Sequence, residues 1–280
     1  MSAEGKSIDV LPLTGAIGAE ISGVDISEPL PAETIGEIRQ ALLDHLVIFL
    51  RDQQITPEQQ IAFVSRFGEP DIYPFVKGLE DYPEIIPVLK LPEETVNFGG
   101  IWHSDTAYQA QPPMGTVLYA KELPPVGGDT LYANQYQAYE ALSAPLRDFL
   151  DGLTAINSAA KGSAAATRSD RVSDAGTGRQ EVLEAEHPVV RTHPETGRKA
   201  LYVNTGHTIR FGGMTEAEST PILEFLYQHQ IKPEFCCRFV WSPGAMAFWD
   251  NRCAQHYPIN DYHGHTRLLH RITLKGDKPV

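Results

Sequence analysis

Thr266-Arg267-Leu268-Leu269-His270-Arg271-Ile272-Thr273-Leu274 reads as a strand carrying an unusual load. Successive strand residues point to opposite faces, so Arg267 and Arg271, four apart, share one. A strand bordered by Leu and Ile does not turn two guanidiniums inward unless each meets an anion. The other reading is an amphipathic edge strand with both arginines in solvent. Working back from this strand, 245–249 and 235–241 are further apolar strands, and 189–191 and 200–203 are shorter ones. Thr215-Glu216-Ala217-Glu218 is a capping box opening a helix between them. Residues 136–153 read as another helix, preceded by strand 115–120 and by Gly127-Gly128-Asp129-Thr130 turning into a further strand.

Helices dominate the first quarter. Ile35, Ile38, Ala41, Leu42 and Leu46 recur at helical spacing and run into the buried strand Val47-Ile48-Phe49-Leu50. Thr56-Pro57-Glu58-Gln59 is a second capping box with proline in the first turn, and its helix should end near Phe67-Gly68. Residues 7–24 suit a short strand and turns at a sheet edge, and 69–100 a long loop region with one strand at 85–91. Residues 157–178 lose their apolar pattern and read as a mobile loop. Early helices and late strands predict one α+β, barrel-like domain over residues 1–280.

At 280 residues the chain can bury a full core without a second domain. Hydrophobic content of 42% with 21% charged residues is that of a globular protein. The formal charge of −13 argues against nucleic acid or an anionic membrane as partner, while a few buried arginines still allow a small anionic substrate. Cys236, Cys237 and Cys253 cannot build a disulfide framework. With no apolar signal core or membrane-length run, the expected location is the cytoplasm.

Trp102-His103-Ser104-Asp105 places an imidazole and a carboxylate two residues apart, and His256 follows far downstream. On a strand, His103 and Asp105 would face the same way. Two histidines and one carboxylate leave positions of a metal open, as non-haem Fe(II) oxygenases require. Arg267 beyond the second histidine could anchor the far carboxylate of a dicarboxylic co-substrate. Taken singly, each residue also has a plain reading: a surface His near an Asp, a rim histidine, a solvated arginine. Cys253 three residues before His256 lacks the second cysteine pair that a zinc site would need.

Taken together, the motifs resemble the TauD/TfdA group of Fe(II)- and 2-oxoglutarate-dependent dioxygenases nearly end to end. The resemblance runs through residues 15–25, Phe49-Leu50-Arg51-Asp52-Gln53, Arg66-Phe67-Gly68-Glu69, Trp102-His103-Ser104-Asp105 and Gly127-Gly128-Asp129-Thr130. It continues through His187-Pro188-Val189-Val190-Arg191-Thr192-His193-Pro194, Trp249-Asp250-Asn251-Arg252, His256, Arg267 and His270-Arg271. It implies a double-stranded β-helix (jelly-roll) core with flanking helices. It also implies His103, Asp105 and His256 as iron ligands, with Thr130 and Arg267 holding 2-oxoglutarate. Succinate and CO2 would be released as O2 is consumed. Residues 157–178 fall where relatives carry a lid that would exclude water. A homo-oligomer, dimer or tetramer, is compatible with the family. A Zn(II) hydrolase or a non-catalytic ligand-binding relative on the same fold are the alternatives.

The substrate end departs from taurine dioxygenases. Arg271 matches the arginine that grips a sulfonate in that group, but Tyr73 stands at the sulfonate-binding histidine and Val76 at the neighbouring tyrosine. The asparagine before the metal motif becomes Gly99, with Asn97 close by, and His207 replaces a pocket phenylalanine. Keeping the arginine while changing its polar neighbours predicts an organic anion other than taurine: a sulfonate, sulfate ester or carboxylate.

Overall fold

The computed structural model describes residues 7–72, 76–161 and 183–280. Strands β1 (Asp9–Pro12) and β2 (Ala19–Ser22) lead to helix α1 (Ala32–His45), β3 (Val47–Leu50) and α2 (Pro57–Val64). Strands β4 (Pro70–Asp71), β5 (Ile86–Lys90), β6 (Gly115–Glu122) and β7 (Thr130–Asn134) precede helices α3 (Gln135–Glu140) and α4 (Ala144–Asp151). Next come β8 (Thr154–Ser158), β9 (Glu184–Pro188), β10 (Val190–Thr192), β11 (Lys199–Leu201), β12 (Thr208–Phe211) and helix α5 (Glu216–His229). β13 (Cys236–Phe239), β14 (Met246–Asp250), β15 (Ala254–Pro258) and β16 (Arg267–Leu274) complete the order.

The main sheet runs β1-β2-β3-β14-β6-β16-β4, with β5 also paired to β16. Among the described residues β2 and β3 are its one parallel pair. A second sheet, β13-β7-β15, faces it. The inner core holds the two together: Phe49 of β3 stacks on Phe239 of β13 with centroids 3.9 Å apart, and Leu118, Ala120, Leu269, Tyr132 and Ala254 join the same cluster. The outer face of the main sheet is covered by α1 and α2, whose Ile38, Leu42 and Phe63 pack on Ile48, Leu50, Phe248 and Ile272. Each such aliphatic side chain, fully withdrawn from water, contributes roughly 1.5–3 kcal/mol. The helices α3, α4 and α5 pack a third cluster against the strands around β8 and β12, including Leu150, Phe211, Leu223 and Leu226.

Local chemistry sets the element ends. Thr56 and Thr215 each close a complete capping box, with Gln59 and Glu218. α1 stops at Leu46, which turns left-handed at φ 65° so that the chain passes straight into β3. α2 ends at Val64, before the expected Phe67-Gly68. The expected helix over 136–153 is two helices, because Pro145, near the start of α4, lacks the N–H that a continuous helix would use. Asn157 and Ser158, expected in a loop, instead end β8: both are buried, and Asn157 Oδ1 accepts a hydrogen bond from Thr208 Oγ1 at 2.7 Å. Residues 162–178 of that expected loop lie outside the described residues. Among the described residues no helix is long and apolar enough to cross a membrane.

Candidate active site

His256 sits inside β15, whose register against β7 sets it opposite Tyr132. His103 lies on no regular strand. It makes a single two-bond bridge to His256, with His103 N donating to His256 O at 3.1 Å and His256 N to His103 O at 2.9 Å. Asp105 converges on His103 at the start of a turn over residues 105–108, with Thr106 at φ 43°, and not through regular strand alternation as expected from the sequence. The three side chains are buried, and one donor atom from each lies within 4.8 Å of the others. His103 Nε2 is 3.6 Å from Asp105 Oδ1, and the two imidazole centroids are 4.2 Å apart.

The surroundings set each group's state. His103 Nδ1 is 2.6 Å from the Ile101 carbonyl, which can only accept, so Nδ1 donates there and Nε2 is turned toward Asp105. Burial, with His103 and Arg271 adding to it, holds His256 well below the ordinary histidine range, so its ring is neutral. Among the described residues its buried Nδ1 makes no hydrogen bond. Burial opposes ionisation of Asp105, but Arg271 and the two histidines outweigh it and hold the carboxyl well below the usual range. Two imidazoles and an ionised carboxylate are the donor set that suits Fe(II) with open positions. Space beside them is kept by Gly99, φ +73°, where a Cβ would stand 3.1 Å from His103 Cε1 and 3.5 Å from Nε2.

Asp105 is oriented by two residues that sequence reasoning did not assign to that role. Thr116 Oγ1 of β6 donates to Asp105 Oδ2 at 2.6 Å. Asn251 Nδ2 donates to Thr116 Oγ1 at 2.9 Å, while Asn251 Oδ1 accepts from Trp249 Nε1 at 2.9 Å and from Asp105 N at 3.3 Å. Asn251 lies within the Trp249-Asp250-Asn251-Arg252 motif, which could have pointed to it. Thr116 was detectable only as one hydroxyl in an apolar strand.

Arg267 and Arg271 both face inward from β16, 4% and 5% exposed, which settles the choice left open by the sequence. Arg267 lies against the rings of Trp241 and Tyr262, its Cζ 5.7 Å from each centroid, and among the described residues its Nε and Nη2 make no hydrogen bond. Thr130 of β7 is buried, and its Oγ1 accepts from Trp241 Nε1 at 3.1 Å, so the indole joins the two residues. Gly128, φ +72°, is required there: a Cβ would fall 3.0 Å from Arg267 Cδ and 3.2 Å from Tyr262 Cδ1. Tyr132, buried, feels the charges of both Arg267 and Asp105 and links this corner to the triad.

Arg271 Nη2 reaches Asp105 Oδ1 at 3.1 Å. The buried His207 ring stands edge-on to His103, centroids 6.0 Å apart, and to Tyr108 at 5.0 Å. Asn97 is buried and donates from Nδ2 to Pro258 O at 2.9 Å, close to the Gly99 turn over His103. Arg271, His207 and Asn97 thus gather around the triad, and Tyr73 lies outside the described residues.

A second buried group, His193, Asp250 and Cys253, has similar spacing but different chemistry. Arg252 holds Asp250 through contacts of 2.6 and 2.8 Å, and His193 Nε2 lies 3.0 Å from the same carboxylate. Burial keeps the Cys253 thiol protonated. These contacts make it an ion network centred on Asp250.

Two imidazoles and a carboxylate, one donor atom of each within 4.8 Å of the others, form a candidate two-histidine-one-carboxylate metal site. The family model described as "Taurine catabolism dioxygenase TauD, TfdA family" matches residues 9–273, and the chain belongs to that family. An alpha-ketoglutarate-dependent sulfate ester dioxygenase from Pseudomonas putida is 35% identical, covering 98% of this chain and 91% of the relative. The structure of a taurine dioxygenase from Burkholderia xenovorans superposes with TM-score 0.84 at 39% identity, covering 98% of this chain and 93% of that one. AAD-2, solved in complex with Mn(II) and N-oxalylglycine, matches with TM-score 0.79 at 26% identity over 97% of this chain and 98% of that one.

Proposed function

We propose that His103, Asp105 and His256 hold Fe(II), and that Thr130 and Arg267 seat the distal carboxylate of 2-oxoglutarate in a dioxygenase that oxidises a small organic anion. The enzyme class is that of the family: a 2-oxoglutarate-dependent non-haem iron dioxygenase, using Fe(II), 2-oxoglutarate and O2. We read the two facing sheets as the halves of a double-stranded β-helix, with the site between them. The observation that carries the residue assignment is the convergence of three buried donor atoms, together with a buried guanidinium whose Nε and Nη2 make no hydrogen bond among the described residues. When bound, the metal supplies the oxidising chemistry by which O2 and 2-oxoglutarate become succinate and CO2, with the second oxygen atom going to the substrate.

The protein's own residues bind, orient and exclude water. Arg267 offers a planar fork to one end of a C5 dicarboxylate and fixes its reach, with the Thr130 hydroxyl beside it. The Ile101 carbonyl fixes the tautomer of His103, and Thr116 with Asn251 fixes the carboxylate of Asp105. Arg271, already 3.1 Å from Asp105, would hold an anionic group at the edge of the metal site and so set a neighbouring C–H toward it. His207 and Asn97 would shape the rest of that pocket, where taurine-type contacts are changed. The Pseudomonas putida relative is named for sulfate esters, in keeping with an alkyl sulfate or a related sulfonate or carboxylate as substrate.

The test is succinate formation with Fe(II), 2-oxoglutarate and O2 against a panel of alkyl sulfates, alkanesulfonates, aryloxyalkanoates, taurine and matched neutral alcohols. Anions other than taurine should drive turnover, and Arg271→Met should raise KM for them far more than for 2-oxoglutarate. Turnover of the neutral compounds alone would reject the substrate class.

A further inference from the structure

The corner that holds Arg267 contains a second buried cation. β5 and β16 pair in a register that sets Lys90 opposite Arg267, and directly opposed residues of an antiparallel pair project from the same face. Lys90 is 2% exposed. Its Nζ lies 4.6 Å from the centroid of Tyr262, the ring that Arg267 also approaches. Among the described residues Lys90 Nζ makes no hydrogen bond, and neither do Arg267 Nε and Nη2.

Asp129 is the carboxylate whose charge acts on Arg267, and it, Asp261 and Glu94 each accept from another donor. Asp129 Oδ2 accepts from Arg238 Nε at 2.6 Å, and Asp261 Oδ1 accepts from Gly128 N at 2.7 Å. Glu94 Oε2 accepts from Leu91 N at 2.6 Å. An ammonium and a guanidinium withdrawn from water side by side repel each other and have each lost hydration. A tyrosine face offsets only part of that cost. The pairing makes sense if an anion completes it.

We infer that Lys90 is a second cationic contact for the distal carboxylate of the co-substrate, so that neighbouring strands grip it with Arg267 and Lys90 together. This rests on assigning Arg267 to that carboxylate. A carboxylate has about four lone-pair sites: the guanidinium fork takes the in-plane pair, leaving room for the Thr130 hydroxyl and an ammonium. Lys90 is a point charge, so it adds affinity for charge while Arg267 sets the angle.

The experiment is calorimetric binding to the Mn(II)-loaded full chain, without O2, of 2-oxoglutarate and of 2-oxopentanoate, which has the same keto-acid head and no distal carboxylate. Lys90→Met keeps most of the stem and removes the charge. It should weaken 2-oxoglutarate about tenfold or more, as loss of a charge-assisted contact does. It should leave 2-oxopentanoate within about twofold and the unfolding temperature of the unliganded protein no lower. Unchanged 2-oxoglutarate affinity would overturn the inference, as would equal weakening of both ligands with a lowered unfolding temperature, the mark of a packing role. Arg267→Met separates the two assignments. If it binds 2-oxoglutarate like the parent, the clamp itself is wrong. If it loses binding while Lys90→Met does not, only the role of Lys90 falls.

Discussion

Replacing Thr116 with valine keeps the side-chain shape and removes one hydroxyl that touches no substrate. That hydroxyl donates to Asp105 Oδ2 at 2.6 Å and accepts from Asn251 Nδ2 at 2.9 Å, all within buried structure. A hydrogen bond to a charged group contributes a net of about 1.5–3 kcal/mol. At roughly 1.4 kcal/mol per tenfold, Thr116→Val should weaken metal binding by about 10- to 100-fold, the range seen when groups orienting a metal ligand are removed. Asn251 still reaches Asp105 Oδ2 at 3.4 Å, so binding should weaken without vanishing. The assay is competition for Fe(II) or Mn(II) against a chelator at neutral pH, with Thr116→Ser as the variant that restores the hydroxyl. Valine binding metal as tightly as serine and the parent would refute the view that this hydroxyl positions Asp105.

Gly128→Ala should destabilise the fold by about 1–2 kcal/mol, because the residue sits at φ +72°. Its Cβ would also press on Arg267, so calorimetry should show weaker 2-oxoglutarate binding with metal affinity kept. Asp250→Ala leaves Arg252 and His193 buried without their acid and should lower unfolding free energy by about 3–5 kcal/mol, read by urea denaturation at pH 7. Burial opposes the Asp250 charge, but Arg252 and His193 hold its carboxyl well below its ordinary 3.8 in the fold. That stabilisation is whole above the unfolded value and is lost as pH falls below about 4, so the variant's stability should fall less steeply over that acid range. Thr215→Ala removes the cap of α5 and should cost about 1 kcal/mol by thermal unfolding.

Much of the frame was legible because its causes are local. Both capping boxes, the apolar stripe of α1 and the buried run of β3 depend on neighbours in sequence, and each formed where the pattern set it. The long helix expected over 136–153 failed at Pro145, a breaker that the apolar spacing alone did not register. The inward turn of Arg267 and Arg271 followed from strand alternation, but what meets them depends on chain distant in sequence. Arg271 finds Asp105, whereas Arg267 finds the rings of Trp241 and Tyr262. His103 and Asp105 were located through family resemblance, and the strand first offered for them is a turn stapled to β15. Lys90 and Thr116 escaped notice because a lone lysine or threonine in a strand reads as surface or filler. Only the register of β5 and β6 against β16 and the 105 turn reveals their position.

The central claim is that His103, Asp105 and His256 bind Fe(II) with a chelating 2-oxo acid whose far end lies on Arg267. Anaerobic titration of the metal-free protein with Fe(II) and 2-oxoglutarate tests it directly through the visible metal-to-ligand charge-transfer band of such a chelate. The band should appear in the parent, be absent in Asp105→Ala, and require much more 2-oxoglutarate in Arg267→Ala. Folded, metal-loaded parent protein without the band, or Asp105→Ala with the full band, would contradict it.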